Sequence, residues 1–436
     1  MANTFCYASF LDEMDLLDCF VCINEVNYKW NGNHWEALTD KSGEAWVLDW
    51  IRTNDPASLS KSVSKQAWEA LKLALLESTP KIELNNVVIP CQGAYVCMDD
   101  DGQITTTTPQ KNLYRNYVLG CPYDPAAKTP LFDAFLDQIL PDMGVRQRVQ
   151  EYIGYSLLPD NRFQRAALWL GSGANGKGVL SNIVQKLHAK TQAIQLDNNS
   201  RFALSGLYDA SLIVADELPA RKLDEAKLKS VIAGEKVFID IKGQMPITTR
   251  VRGKLLVLGN NYPVVDDSSE GFWRRWDVVP FKATIAEADR DPRLAERIIG
   301  TELAGVLNWA LEGLARLLKR DGFDPVQPEA MKYSMQMAKK VANDVTGWLS
   351  ERVVSVGGVP SLHKRVVYND YTLWCIQNDF VPQSPQAFWL KIKRCRTDLV
   401  DKKIRLGKGF QYVCSITLKD KDELDAANAG EFLEAA

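Results

Sequence analysis

Histidine is scarce in this chain, with three residues in 436. Cys19 and Cys22 form a lone C-x-x-C. A zinc site needs two further ligands, which so few histidines do not supply, so no zinc centre is expected. No stretch approaches eighteen uninterrupted apolar residues, which excludes a membrane-spanning helix. The opening MANTFCYASFLDEMD is acidic and has no basic start, so it does not read as a secretory signal. Cysteines are odd in number, nine, and scattered from Cys6 to Cys414, a usage that fits reduced thiols in a cytoplasm. The chain also lacks a basic total, its net charge being −3. That total hides an asymmetry. Residues 1–60 hold ten acids against three bases, whereas residues 362–410 hold ten bases against four acids. Electrostatic binding to phosphates needs a local basic patch of the second kind, whatever the total.

The length allows two to four domains, and 46% apolar residues suffice for ordinary globular cores. GAYVCMDDDGQITTTTP reads as a hairpin turning at Asp101-Gly102. Between 130 and 160 the pattern is helical, with Phe132, Phe135, Leu136, Ile139 and Leu140 on one face. Residues 287–320 read as helices, and FDPVQP as a linker after them. Ser384-Pro385 makes a helix start. The helix that follows is expected to bury Phe388, Ile392, Cys395 and Leu399 and to expose Lys391 and Arg394. KKIRLGKGFQYVCSITL then reads as two strands around Lys408, so a helix plus a basic hairpin suggests a winged helix.

The chemistry concentrates in residues 166–281. AALWL runs into GSGANGKG, which is followed by the helical pattern of VLSNIVQKLHAK. Gly171, Ser172, Gly173, Ala174, Asn175, Gly176, Lys177 and Gly178 therefore lie in the strand–loop–helix setting of a phosphate-binding loop. The loop lacks one feature: position 178 is glycine where a hydroxyl usually contacts Mg²⁺. Backbone N–H groups and the helix N-terminus supply most of such a loop's grip, so MgATP binding is still expected, with a water replacing the hydroxyl. Asp216, or Ser181 one turn on, would hold that water. SLIVADEL builds a buried strand ending in Asp216, a metal-binding acid, and Glu217, which would polarise the attacking water. KLLVLGNN ends in Asn260, whose amide suits a γ-phosphate or the lytic water. In GFWRRWDVVPF, Arg274 and Arg275 are candidates to neutralise transition-state charge, supplied from a neighbouring subunit.

In this order the motifs resemble a superfamily 3 helicase, and more closely the C-terminal helicase module of phage and plasmid primase–helicases. The resemblance extends from YRNYVLGCPYDPAAKTPLFDAFLDQIL to the tail, about three hundred residues. It implies an α/β fold: an AAA+-like P-loop core with an α/β N-terminal region, a helical collar and a C-terminal winged helix. The implied division is an accessory domain over 1–115, a collar and oligomerisation segment over 116–160 and an ATPase core over 161–285. A helical segment over 286–345, a winged helix over 346–420 and a tail over 421–436 complete it. The family's remaining motif falls on LKSVIAGEKVFIDIKGQMPITTRVRGK, where Lys229 and Gly234 match its start. Lys242 falls at the implied tip of a hairpin that meets DNA in the ring channel. Lys391, Arg394 and Lys408 are the corresponding candidates in the winged helix. Also implied are a homo-hexamer, ATP and Mg²⁺ as cofactors, 3′-to-5′ movement on single-stranded DNA, and work in the cytoplasm of a bacterial host. Only His34 precedes the helicase region, and a polymerising primase site needs paired aspartates with a nearby histidine. No primer synthesis is therefore expected, and a separate primase or polymerase is the expected partner. The other functional class open to these residues is a nucleotide-gated origin-binding assembly that unwinds little or not at all.

Overall fold

A computed structural model describes residues 5–419 apart from 24, 78–86, 197–205, 219–222, 241–245, 264, 266–269, 343, 379, 381 and 407–408. The chain divides into two compact units, one of Met1–Pro263 with Ser269–Met335, the other of Val264–Ser268 with Gln336–Ala436.

The first unit is built on a five-stranded, wholly parallel sheet. In chain order its strands are Ala166–Leu170, Thr191–Ala193, Leu212–Ala215, Lys254–Gly259 and Trp276–Pro280. In space the fifth lies beside the first, then come the fourth, third and second. Strands one, three and four are buried along their whole length. Such continuous burial is expected of a parallel sheet covered on both faces, and it explains the unbroken apolar runs AALWL, LIVA and LLVL. Thr191–Ala193 sits at the edge, where burial is not required.

Helices Pro130–Ile139, Met143–Ser156, Lys177–Leu187 and Leu294–Arg320 contribute to one apolar core with this sheet. Phe132, Phe135, Leu136, Ile139 and Leu140 are all buried, as their spacing indicates. Tyr152 Oη donates to the Leu255 carbonyl at 2.6 Å, pinning the second helix to the fourth strand. Gly154 lets that helix approach the 27-residue one closely, since a Cβ there would stand 2.4 Å from the Ala310 carbonyl oxygen. The bidentate Arg148–Asp277 pair, with side chains 4% and 1% exposed, ties the helix to the fifth strand.

Among the described N-terminal residues there are two antiparallel three-stranded sheets and three α-helices. The expected hairpin is present: Ala94–Met98 pairs with Ile104–Thr107, and Gly102 takes a φ of 79° at the turn. These residues belong to the same unit as the parallel sheet.

In the second unit, helices Asp344–Arg352, Lys364–Gln377 and Pro385–Cys395 precede an antiparallel hairpin of Asp401–Leu406 and Gly409–Cys414. Leu362–His363 adds a third strand to that hairpin. Ser384 caps the last helix by accepting from the Ala387 N–H, at the predicted start. Phe388 and Ile392 are buried and Leu399 is half-buried, but Cys395 is exposed, a correction to its expected burial.

Candidate functional site

Because the strands run parallel, their C-terminal ends share one edge, and the loops that follow those ends are neighbours. The first strand ends at the glycine loop, the third at Asp216 and Glu217, and the fourth at Asn260. Strand one is bonded to strand four and strand four to strand three.

Gly176 stands as the N-cap of helix Lys177–Leu187 with a φ of 78°. A side chain there would be strained, and its Cβ would lie 2.4 Å from Ile139 Cγ2. Gly173 and Ala174 also have positive φ, so the loop curls tightly ahead of the helix. Asn175 is buried and donates to the Phe281 carbonyl at 3.4 Å, fastening the loop to the fifth strand. Gly171 lies at the loop's entry, where its N–H meets the Gly259 carbonyl, and Ser172 follows it. A Cβ on Gly178 would find nothing within 4 Å.

Lys177 Nζ donates to the Gly171 carbonyl and to Asn260 Oδ1, both at 2.8 Å. The structure thus joins two sequence-predicted residues 83 positions apart. Both acceptors are neutral, so the ammonium charge is uncompensated by them, and burial lowers its pKa below the ordinary lysine value. A polyanion would supply what those neutral acceptors do not.

Asp216 and Glu217 are one and two residues beyond their buried strand. With Gln195 and Leu218 they line a cleft of about 490 Å³. A Cβ on Gly259 would lie 2.6 Å from Leu218 Cδ1, so the acid-bearing turn approaches the end of the asparagine strand. Ser181 differs from expectation: its hydroxyl is buried and accepts from Gln185 at 3.2 Å.

Arg274 and Arg275 lie elsewhere. They precede strand Trp276–Pro280, whose first residue stands opposite Ala166 and whose last stands opposite Leu170. The arginines therefore occupy the N-terminal edge of the sheet, a five-residue strand (about 16 Å) from their own glycine loop. Arg274 is exposed; Arg275 is half-buried, donates to the Gly271 carbonyl and leaves Nε without a partner. Burial and the neighbouring Arg274 pull the Arg275 pKa down.

In the second unit Lys391 is corrected. Rather than facing outward it is 15% exposed and pairs with buried Asp344 at 2.9 Å, beside Gln383 and Tyr371. Arg394 lies on the same helix; its side chain, with Lys242 and Lys408, falls outside the described residues. The outward charges that the sequence reading missed are on the hairpin. Lys403 stands opposite Tyr412 and Arg405 opposite Phe410, a period-two alternation that puts all four on one face. Phe410 and Tyr412 are 62% and 54% exposed, and Lys403 Nζ lies 4.1 Å from the Phe410 ring centroid. The alternation of KKIRL against FQYVC carried that signal.

A sequence family of unknown function (DUF5906) matches residues 169–275, from the end of the glycine-loop strand to the arginine pair. The chain is 27% identical over 163 residues to a candidate helicase, L207/L206, of Acanthamoeba polyphaga mimivirus, covering 34% of this chain and 17% of that relative. The chain thus spans less than a fifth of that relative's length. Among solved structures, the apo C-terminal region of NrS-1 superposes with a TM-score of 0.49 at 12% identity, over 94% of this chain and 98% of that one. A JCV helicase with a bound small molecule superposes with a TM-score of 0.28 at 16% identity, over 48% and 59%.

Proposed function

We propose that the chain is the motor of an ATP-driven, ring-shaped DNA helicase of the superfamily 3 kind, serving replication of a phage, plasmid or integrated element. One observation carries this reading. Lys177 of the glycine loop is hydrogen-bonded to Asn260, on the sheet edge that also bears Asp216 and Glu217. Similarity to a viral candidate helicase supports the helicase class. The cofactor fits the residues present: an open-mouthed glycine loop, a lysine with neutral partners and two carboxylates in a cleft are the donor set that MgATP requires. MgATP would supply the phosphoryl group and its free energy. The N–H groups of 172–178 would cradle phosphates, and Lys177 would exchange its present acceptors for them. Asp216 would hold Mg²⁺ through water, and Glu217 would take a proton from the lytic water. Arg274 and Arg275, at the far edge, suit a neighbour's nucleotide rather than their own, which argues for a closed ring such as a hexamer. On this reading, helices Asp344–Arg352, Lys364–Gln377 and Pro385–Cys395 with the hairpin would act as a winged helix that contacts duplex DNA, with priming left to a separate protein.

The test is strand displacement on forked DNA by the full chain with MgATP. Wild-type protein should displace the strand, Lys177→Ala should neither bind ATP nor unwind, and Glu217→Gln should bind without turnover. DNA binding or ATP hydrolysis without strand displacement would sink the helicase reading and leave a nucleotide-gated origin-binding assembly.

A further inference from the structure

A cavity of about 580 Å³ in the first unit is lined by Arg115, Arg162, Arg250 and Arg252 together with Tyr28, Tyr114 and Tyr208, among others. Its lining residues 159–164 precede the first strand of the parallel sheet and 249–252 precede the fourth, so it lies at the N-terminal edge, away from the glycine loop. It also adjoins the base of the antiparallel pair Lys236–Ile239 and Ile247–Arg250.

Arg115 is the unusual member. It is 3% exposed, its Nε has no hydrogen-bond partner, and no ion pair among the described residues engages it. A buried guanidinium without an anion is costly, by far more than an unpaired neutral group. Arg252 donates to the side chain and carbonyl of Asn116 among its contacts, and Arg250 donates to the carbonyl of Gly234. Among the described lining residues Asp160 is the one carboxylate, and Arg162 already holds it at 2.6 Å. Among the described lining residues there are thus four guanidiniums and one carboxylate. Nearby Lys254, buried and donating to the Leu158 and Arg252 carbonyls, is held down to about 7 by burial with Arg252 and Arg162 adding to it.

We propose that this cavity is a phosphate-binding site for a nucleotide, either one residue of a DNA strand or a free nucleotide. The planar fork of arginine matches phosphate oxygens in two-point contact, and half-buried Tyr114 and Tyr208 are part of the same lining. The missing anion is then the partner that Arg115 lacks. The site is separate from the glycine loop and does not depend on that loop binding ATP.

The test uses the full chain carrying Lys177→Ala, so that the glycine loop is silent. Inorganic phosphate and thymidine 5′-monophosphate are titrated by thermal unfolding, and a labelled twenty-residue oligothymidylate by anisotropy. Loss of one charge-assisted hydrogen bond in the Arg115→Gln variant should weaken the responding probe about tenfold to hundredfold. A response to the monophosphate marks a free-nucleotide site, and a response confined to the oligonucleotide marks a strand site. Arg250→Gln, an exposed wall residue, should weaken the same probe and serves as the reporter if Arg115→Gln does not fold. Folded variants that bind every probe as tightly as the Lys177→Ala parent, or a parent that binds none, overturn the proposal.

Discussion

Gly178→Ser restores a hydroxyl to the loop position where a metal ligand is usual, and its consequences can be worked out from the structure. Position 178 is the second residue of helix Lys177–Leu187, has no positive φ, and a Cβ there meets nothing within 4 Å. The side chain therefore enters free space. Replacing glycine in a helix gains about 0.5 kcal/mol from backbone entropy alone. The hydroxyl can displace one Mg²⁺-bound water, an exchange of the size of one hydrogen bond, about 0.5–1.5 kcal/mol. That range converts to about a twofold to twelvefold fall in the Mg²⁺ concentration giving half-maximal hydrolysis. Gly178→Ala isolates the backbone part: it should gain at least as much stability, because alanine has the higher helix propensity, and leave the Mg²⁺ dependence unchanged. The assay is phosphate release against Mg²⁺ at fixed ATP, with single-stranded DNA present, for wild type and both variants. If wild type fails to bind MgATP at millimolar nucleotide while folded, the loop is not a nucleotide site. If the serine variant alone loses binding, the open space at 178 serves something other than the metal.

Arg148→Ala should cost about 3–5 kcal/mol in chemical denaturation, because it leaves Asp277 buried and unpaired; a loss under about 1 kcal/mol would refute this account of the pair. Mixing Lys177→Ala subunits with Arg274→Ala/Arg275→Ala subunits should recover part of the ATP hydrolysis that each lacks, and mixed rings that stay inactive would contradict sharing of sites between subunits. Lys403→Glu with Arg405→Glu should weaken duplex DNA binding and flatten its salt dependence by roughly one unit of slope for each phosphate no longer neutralised; Lys391→Met should not, since Asp344 already holds that ammonium. His188 is fully buried between Ser156 and Ser211, and burial with Lys254 and Arg252 nearby lowers it to about 3 from 6.5. Between those values the unfolded chain binds more protons, so the stability His188 contributes is complete above about 6.5 and declines as pH falls toward about 3. His188→Gln should flatten that acid limb of the unfolding curve.

Local pattern alone carried the strand–loop–helix at 166–187, the buried strands ending in Asp216 and Asn260, and the helical face from Phe132 to Leu140. Each depends on periodicity, glycine chemistry or an apolar run, all of which act between near neighbours in the chain. The order of strands in the sheet is a different kind of fact. It brings Asn260 to Lys177 and sends Arg274 and Arg275 to the opposite edge, and it depends on which buried strands pair, a choice that similar apolar runs do not encode separately. Lys391 shows the same limit at one residue. Its helical position suits an outward face, yet Asp344 on another helix captures its charge. Arg115 shows the converse: nothing in YRNYVL distinguishes it from a surface arginine. Its burial beside three more arginines comes from segments 47 to 137 residues away in sequence folding over it, and only the tertiary structure decides whether such a charge finds a partner.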